Sequence, residues 1–299
     1  VYKNMNMKKY AMILVAISMS FVSCEKWLDL QQEGEITASQ LYGKGEGYRT
    51  ALNGLYQAMG RPDLYGRELS FGLVDCMSQQ YDLSNKDIFT TTHYIKASKF
   101  EYDDVSLVDY IDNIWTVAFK MIANANDLIQ HIEQTDAHLF EKGEMEKKMI
   151  MGEAYACRAL MHFDMLRLFG PLTSELDKES IPYQTNSDQT VTPLLSGSEV
   201  IGLILDDLKN AVGLLKDTDP YFVEEEFSDT DLNYRRFRMN YFAAKGLMAR
   251  VQLWGGDKEK AAITAKEVIA EGQAEGAEFF PFVTNSEATS SNPDRVFYS

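Results

Sequence analysis

Apolar residues recur at spacings of three and four along this chain, and this periodicity limits the fold more than any other feature. The stretches that show it are 41–59, 115–132, 149–169, 201–215, 241–254 and 258–270. Such spacing places the apolar side chains on one face of an α-helix. Gly60 and Gly170 follow two of the stretches, each with a proline within two residues, and these residue types end helices. The sequence therefore predicts a mainly α-helical fold.

Polar residues indicate where two of these helices begin. Thr37 and Gln40 stand at the N-cap and N3 positions of a capping box, in which each side chain binds the backbone N–H of the other residue. We expect one continuous helix from there to Met59. Ser198 is the predicted N-cap of the helix that runs to Leu215.

The last two helices resemble a tetratricopeptide hairpin. Small residues on both helices let them approach closely, and a glycine pair allows the tight reversal between them. The residues that fit this pattern are Ala244, Gly246, Ala249, Trp254, Gly256, Asp257, Ala261 and Ala265. We therefore expect helical hairpins joined by long irregular loops.

Residues 61–110 show no sustained period and are rich in Tyr, Asp, Ser and Thr. Long segments without regular structure are often functional, and part of this one is expected to form short helices. A sugar site needs aromatic rings for stacking and planar polar groups for the hydroxyls. Segment 75–105 offers such groups, and the candidate ligand-binding residues are Tyr81, Asp82, His93 and Tyr94. The alternative is that these side chains pack the loop onto the helices.

The first 24 residues show the order of features that marks an exported lipoprotein. Three lysines precede the apolar stretch 11–22, and Cys24 comes directly after Ser23. A basic region, a short apolar region and small residues at a cleavage point are typical of a secretory signal, and this stretch is too short to span a bilayer. We expect residues 1–23 to be a signal peptide and Cys24 to carry the lipid. The alternative is a buried helix that begins the fold.

Charge and motif content exclude several other classes of function. The formal net charge of −16 argues against nucleic-acid binding, because phosphates attract basic surfaces. The four histidines show no HExxH pattern or zinc-like spacing, and there is no GxSxG or Walker motif. The chain has 45 Asp and Glu residues, so a pair of carboxylates at the spacing found in glycosidases is bound to occur somewhere. Such a pair therefore does not indicate a glycoside hydrolase. We predict a protein that is not an enzyme and has no cofactor or metal.

Some chemically notable residues have a structural interpretation. Trp115 and Trp254 lie on apolar helix faces and are expected in the core. Arg158 lies in a helical pattern, where a partly buried guanidinium needs a carboxylate. Asp127 and Glu153 are its predicted partners, and Asn126 is expected to bind backbone groups. Cys76 and Cys157 follow no spacing that shows whether they pair.

Four stretches occur in order along the chain. They are CEKWLD at 24–29, the region 37–56 ending in ALNGLY, Trp115 followed by IANANDLI at 122–129, and GEAYACRA at 152–159 continuing to LFGPL at 168–172. Together these stretches resemble the SusD/RagB family of outer-membrane nutrient-uptake lipoproteins of Bacteroidetes. Members of that family are typically much longer. The resemblance therefore implies that 24–299 is the N-terminal portion of a SusD-like helical domain, with the C-terminal part absent.

The resemblance implies a lipid-anchored, surface-exposed protein of the outer membrane that captures oligosaccharide. Such a protein hands its ligand to a SusC-type TonB-dependent transporter and performs no chemistry on it. Two other interpretations of the chain remain open. One is a helical-repeat scaffold that binds other proteins and no small ligand, and the other is a glycoside hydrolase.

Overall fold

A computed structural model describes residues 37–83, 91–188, 190–219 and 234–273. The predicted signal peptide (1–23) and the predicted lipid-bearing Cys24 lie outside these residues. The chain divides into two compact units, residues 1–40 and 41–299. Of the first unit the structure describes Thr37 to Gln40, where the two predicted capping bonds are both present at 3.0 and 3.3 Å. Within the described part of the chain, no helix combines the length and apolarity needed to cross a membrane.

The described residues form helices with one small antiparallel sheet. In chain order the elements are α1 (Ala38–Leu41), α2 (Gly45–Met59), α3 (Leu73–Met77), α4 (Thr92–Ser98), α5 (Val105–Glu133), α6 (Glu144–Phe169), β1 (Glu179–Pro182), β2 (Leu194–Ser196), α7 (Gly197–Leu215), α8 (Tyr241–Trp254) and α9 (Lys258–Gly272). Short 3-10 turns occur at Ala137–Leu139 and Arg235–Phe237. The mainly α-helical fold that the periodicity predicts is confirmed.

Helix α6 is the centre of the packing. It lies against α5 and α7, while α7 packs on α8 and α8 pairs with α9. Buried residues occur on every side of α6, as expected for a helix with neighbours all around. At Gly152 a Cβ would lie 2.8 Å from Cγ of Leu215, so glycine permits the close approach of α6 and α7. Trp115 and Trp254 both pack against this core, as predicted.

The hairpin of α8 and α9 follows the predicted pattern closely. Helix α8 has the expected bounds, and Asp257 caps α9 by accepting a hydrogen bond from the Lys260 N–H at 3.0 Å. Gly256 has φ of +89°, a left-handed conformation that favours glycine. Ala244 and Ala261 are buried.

Two details of the predicted helices are wrong. The first helix is not continuous to Met59, because α1 ends at Leu41 and α2 begins at Gly45. A Cβ at Gly47 would lie 1.4 Å from the Leu41 carbonyl oxygen, so the chain folds back on itself there. The N-cap of α7 is Ser196 and not Ser198, since Ser196 forms the reciprocal capping bonds with Glu199.

Between α6 and α7 the chain forms a small hairpin of two strands. Glu179 pairs with Ser196 and Pro182 with Leu194 in the antiparallel pair β1–β2. Ile181 is fully buried and fixes this hairpin to the helices. Strands of three and four residues are too short to produce a recognisable alternation.

Candidate functional site

The irregular segment, residues 61–104, joins α2 to α5 and carries the helices α3 and α4. Helices α3 and α4 confirm the prediction that part of this segment forms short helices. The C-terminal ends of α3 and α4 lie side by side, because the Gln79 side chain donates a hydrogen bond of 2.7 Å to the Ser98 carbonyl. The described parts of the segment, 61–83 and 91–104, are therefore a folded surface feature attached to the rigid helices.

Four aromatic side chains of this segment are exposed, and we call them the aromatic patch. They are Phe71 (58% exposed), Tyr81 (38%), Phe100 (55%) and Tyr102 (47%). Tyr81 and Phe71 are linked by a hydrogen bond of 2.7 Å from the Tyr81 hydroxyl to the Phe71 carbonyl. Phe100 and Tyr102 meet edge to face, with ring centroids 6.2 Å apart. The Tyr81 side chain is thus anchored to the backbone, and the Phe100 and Tyr102 rings support each other, while all four rings remain exposed.

Backbone strain occurs at the same place. Gln79 and Phe100 have φ of +61° and +57°, and they are the non-glycine residues with positive φ in the described part of the chain. Non-glycine residues in this region cost about 1–3 kcal/mol and tend to cluster where binding requires a particular backbone path. Each residue follows the end of a short helix, α3 or α4. The left-handed Gln79 and Phe100 therefore end the helical turns of α3 and α4 close in sequence to Tyr81 and Tyr102 of the patch.

The predicted ligand residues fall into two pairs. Tyr81 belongs to the aromatic patch, and the adjacent Asp82 is exposed. His93 and Tyr94 lie in α4 and are half-buried. The structure therefore brings the first pair to the surface of the patch and directs much of the second pair into the protein. Their role in binding stays a prediction.

His93 and Tyr94 contact neighbours in α5 and in the irregular segment. The His93 ring stacks on Tyr110 at 3.6 Å, and the Tyr94 hydroxyl donates a hydrogen bond of 3.2 Å to the buried Glu68. Burial and the Glu68 carboxylate raise the pKa of Tyr94 to about 12, and burial lowers the pKa of His93. Sequence reasoning missed Phe71, Phe100 and Tyr102, because periodicity does not tell which loop aromatics face solvent.

An apolar cavity of about 660 Å³ adjoins the aromatic patch. It lies between α3, the start of α5 and the end of α6, and Tyr102 belongs both to its wall and to the patch. Its walls include Leu73, Met77, Leu107, Ile111, Leu168 and Phe169. Arg167 also lines it, and the guanidinium donates from Nη1 to Asp164 at 2.6 Å.

Charged residues in the helical core form closed networks. Arg158 is bound in bidentate fashion by Asp207, with both N–O distances 2.7 Å, and donates to Asn126 Oδ1 at 2.8 Å. The predicted carboxylate partners, Asp127 and Glu153, are therefore wrong. Asn126 also donates to the Gln184 and Asn186 carbonyls at 3.0 Å, which confirms its predicted backbone role.

Glu153 holds a second network. It is fully buried and accepts hydrogen bonds from Arg235, from Arg238 at 2.8 Å and from the Tyr56 hydroxyl. Burial alone would raise the pKa of Glu153, but the two guanidinium groups outweigh it and the pKa is lowered. Its bonding therefore matches a structural role, with the carboxylate kept ionised.

Among the residues that the structure describes, the other reactive groups are not gathered into a site. Cys76 and Cys157 are free thiols, both buried. Within the described ranges, no three side chains among His, Cys, Asp and Glu are arranged to hold a metal ion. The chemistry that the described surface offers is stacking on aromatic rings beside an apolar cavity.

Fold and surface together define a helical scaffold that carries an exposed aromatic surface. A family model described as "Starch-binding associating with outer membrane" matches residues 72–253, and the chain belongs to this SusD-like family. The resemblance that the sequence motifs indicate is thereby confirmed.

Curated relatives agree with this membership. The chain is 25% identical over 268 residues to SusD-like protein P2 of Formosa agariphila, covering 88% of this chain and 46% of that protein. It is 25% identical over 249 residues to a SusD-like protein of Bacteroides ovatus, covering 83% of this chain and 39% of that protein. The chain spans about half the length of the curated relatives it matches, or less.

Solved structures show the same fold. A SusD superfamily protein from Bacteroides thetaiotaomicron superimposes with a TM-score of 0.60 at 21% identity, covering 82% of this chain and 49% of that one. A laminarin-binding SusD-like protein superimposes with a TM-score of 0.52 at 18% identity, covering 75% and 43%.

Proposed function

We propose that this chain is the N-terminal portion of a lipoprotein that binds oligosaccharide at the cell surface. It would be anchored in the outer membrane through Cys24 after removal of residues 1–23, with residues 24–299 in the SusD-like domain. The protein would deliver its glycan to a SusC-type TonB-dependent transporter without cleaving it. The family description and the laminarin-binding structural neighbour support this proposal.

The observation that carries the proposal is the aromatic patch. Aromatic rings stack on the apolar faces of sugar rings, and they give affinity only where they are exposed and held in position. The patch meets both conditions, because its rings are 38–58% exposed and its turns are tied to each other. Asp82 stands beside the patch as a candidate acceptor for sugar hydroxyls.

The test is the double change Phe100→Ala with Tyr102→Ala in the full-length protein. Loss of stacking residues at a binding hot spot commonly costs a few kcal/mol, so glycan affinity should fall about tenfold or more. Calorimetry against a panel of plant, host and microbial glycans gives the affinities. Circular dichroism and the melting temperature should stay nearly unchanged.

A matched control removes aromatic rings elsewhere on the surface. Tyr234 and Phe237 are 61% and 82% exposed and lie outside the irregular segment, so their replacement by alanine should leave glycan affinity unchanged. Equal affinity in both double variants would place the glycan site away from the patch. Absence of binding to every glycan by the wild type would favour the alternative, a helical-repeat scaffold without a small ligand.

A further inference from the structure

The apolar cavity has properties that glycan stacking on the aromatic patch does not explain. Its volume of about 660 Å³ lies within the range of small-molecule sites in proteins. Its walls are mainly aliphatic and aromatic, and the Ser78 hydroxyl in the wall already donates to the Asp75 carbonyl at 3.1 Å. A sugar ring placed there would lose the hydrogen bonds that its hydroxyls make with water. The cavity therefore suits an apolar group.

Two wall residues favour a flat, aromatic occupant. Phe169 can stack on a ring, and the thioether of Met77 makes favourable contacts with aromatic edges. Met77 already accepts a weak hydrogen bond of 3.8 Å from the Tyr102 hydroxyl. A ring in the cavity would thus have an aromatic side chain and a sulfur among its neighbours.

Arg167 supplies the polar group of the cavity. Its Nη1 donates to Asp164, and its Nε and Nη2 donate to no residue in the described part of the chain. Because the Asp164 carboxylate balances its charge, the guanidinium does not call for an anionic ligand. Its remaining donors suit a neutral carbonyl oxygen.

The cavity is continuous with the aromatic patch through Tyr102. This ring lines the cavity and packs edge to face against Phe100. A glycan stacked on the patch can therefore place a substituent in the cavity. We propose that the cavity binds an aromatic acyl group that is esterified to the glycan, with the ring among the apolar walls and the ester carbonyl accepting from Arg167.

This inference rests on the proposed glycan function for its biological ligand, but the cavity can be tested alone. Methyl cinnamate, a neutral aromatic ester without sugar, should bind the full-length protein in saturation-transfer NMR. Ile111→Trp fills the cavity from α5 and should reduce its binding at least tenfold. Asn113→Trp, an exposed position on the same helix outside the cavity, should not change it. Ser78→Trp closes the exposed wall and replaces Ile111→Trp should that variant misfold.

The carbonyl contact has its own test. Arg167→Met should weaken methyl cinnamate about tenfold and leave propylbenzene, which lacks a carbonyl, unchanged. Equal weakening of both probes would remove the role of Arg167. Failure of methyl cinnamate to bind, or equal binding by Ile111→Trp, would overturn the inference. Unsubstituted glycan should bind Ile111→Trp normally, so failure of the proposed function would be seen separately in the wild type.

Discussion

The helical core of α5 to α8 and the irregular segment use the same residue types in opposite ways. In the core, the aromatic rings pack on each other, as Phe163 does edge to face on Trp254, and the charged groups are buried and paired. In the irregular segment, aromatic rings face solvent and two residues have left-handed backbone. In the core, packed rings and paired charges stabilise the fold. In the irregular segment, exposed rings on strained turns are available to a ligand.

The comparison is tested most severely by removing a buried charge. Arg158→Met would leave Asp207 buried without its guanidinium, together with the Asn126 oxygen that Arg158 binds. Breaking a buried pair from one side costs about 3–5 kcal/mol, and urea unfolding should show a loss of that size.

An exposed pair on α7 provides the control for this change. Lys209 contacts Asp206 at 2.8 Å with both side chains about two-thirds exposed, and such pairs contribute about 0–1 kcal/mol. Lys209→Met should therefore leave the free energy of unfolding nearly unchanged. A loss below about 1 kcal/mol in Arg158→Met would show that its network is not needed for stability.

A buried histidine makes the core sensitive to pH. Burial and the nearby positive charge of Arg158 lower the pKa of His162 to about 3, while its ring stacks on Tyr183 and accepts from the Gln184 N–H. In the unfolded chain this histidine takes up a proton near its ordinary pKa of 6.5, and the folded chain does so near 3. Its contribution to stability is therefore complete above pH 6.5 and is lost as the pH falls towards 3.

Below pH 6.5 this difference gives a slope of about 1.4 kcal/mol per pH unit. Urea unfolding at pH 7, 6 and 5 should show a smaller slope for His162→Gln than for the wild type. Parallel curves for wild type and His162→Gln would mean that the folded protein accepts a proton at His162 at ordinary pH.

The helices could be predicted from the sequence because apolar residues recur regularly along one face of each helix. The stripe from Tyr241 to Trp254 predicts α8 with its observed bounds, and Gly170 ends α6 as expected. The partner of Arg158 could not be predicted in this way, because Asp207 is 49 residues away and long-range pairing leaves no local pattern in the sequence. The break before α2 was missed for a related reason, since the glycines that allow it lie inside an apolar period.

The aromatic patch was only partly predictable. The absence of a period and the mixture of Tyr, Asp and Ser marked the irregular segment, and Tyr81 was among the candidates. Solvent exposure of Phe71 and Phe100 depends on turns whose left-handed residues are Gln79 and Phe100 themselves. Residues other than glycine, asparagine and aspartate rarely adopt the left-handed conformation. The residue types Gln and Phe therefore do not predict these two turns.

The smallest expected effect concerns the strain at Phe100. Because its φ is +57°, glycine there avoids the steric cost that any side chain incurs, and Phe100→Gly should be more stable than Phe100→Ala by about 1 kcal/mol. Phe71 is about as exposed and its φ is not positive, so Phe71→Gly should be less stable than Phe71→Ala, by about 0.4–1 kcal/mol. Urea midpoints of the four variants give both differences. From the proposed glycan site we further expect Phe100→Gly and Phe100→Ala to bind glycan equally weakly, since both variants lack the aromatic ring. If glycine and alanine rank the same way at the two positions, the backbone at Phe100 is unstrained and the patch is held by its side-chain contacts alone.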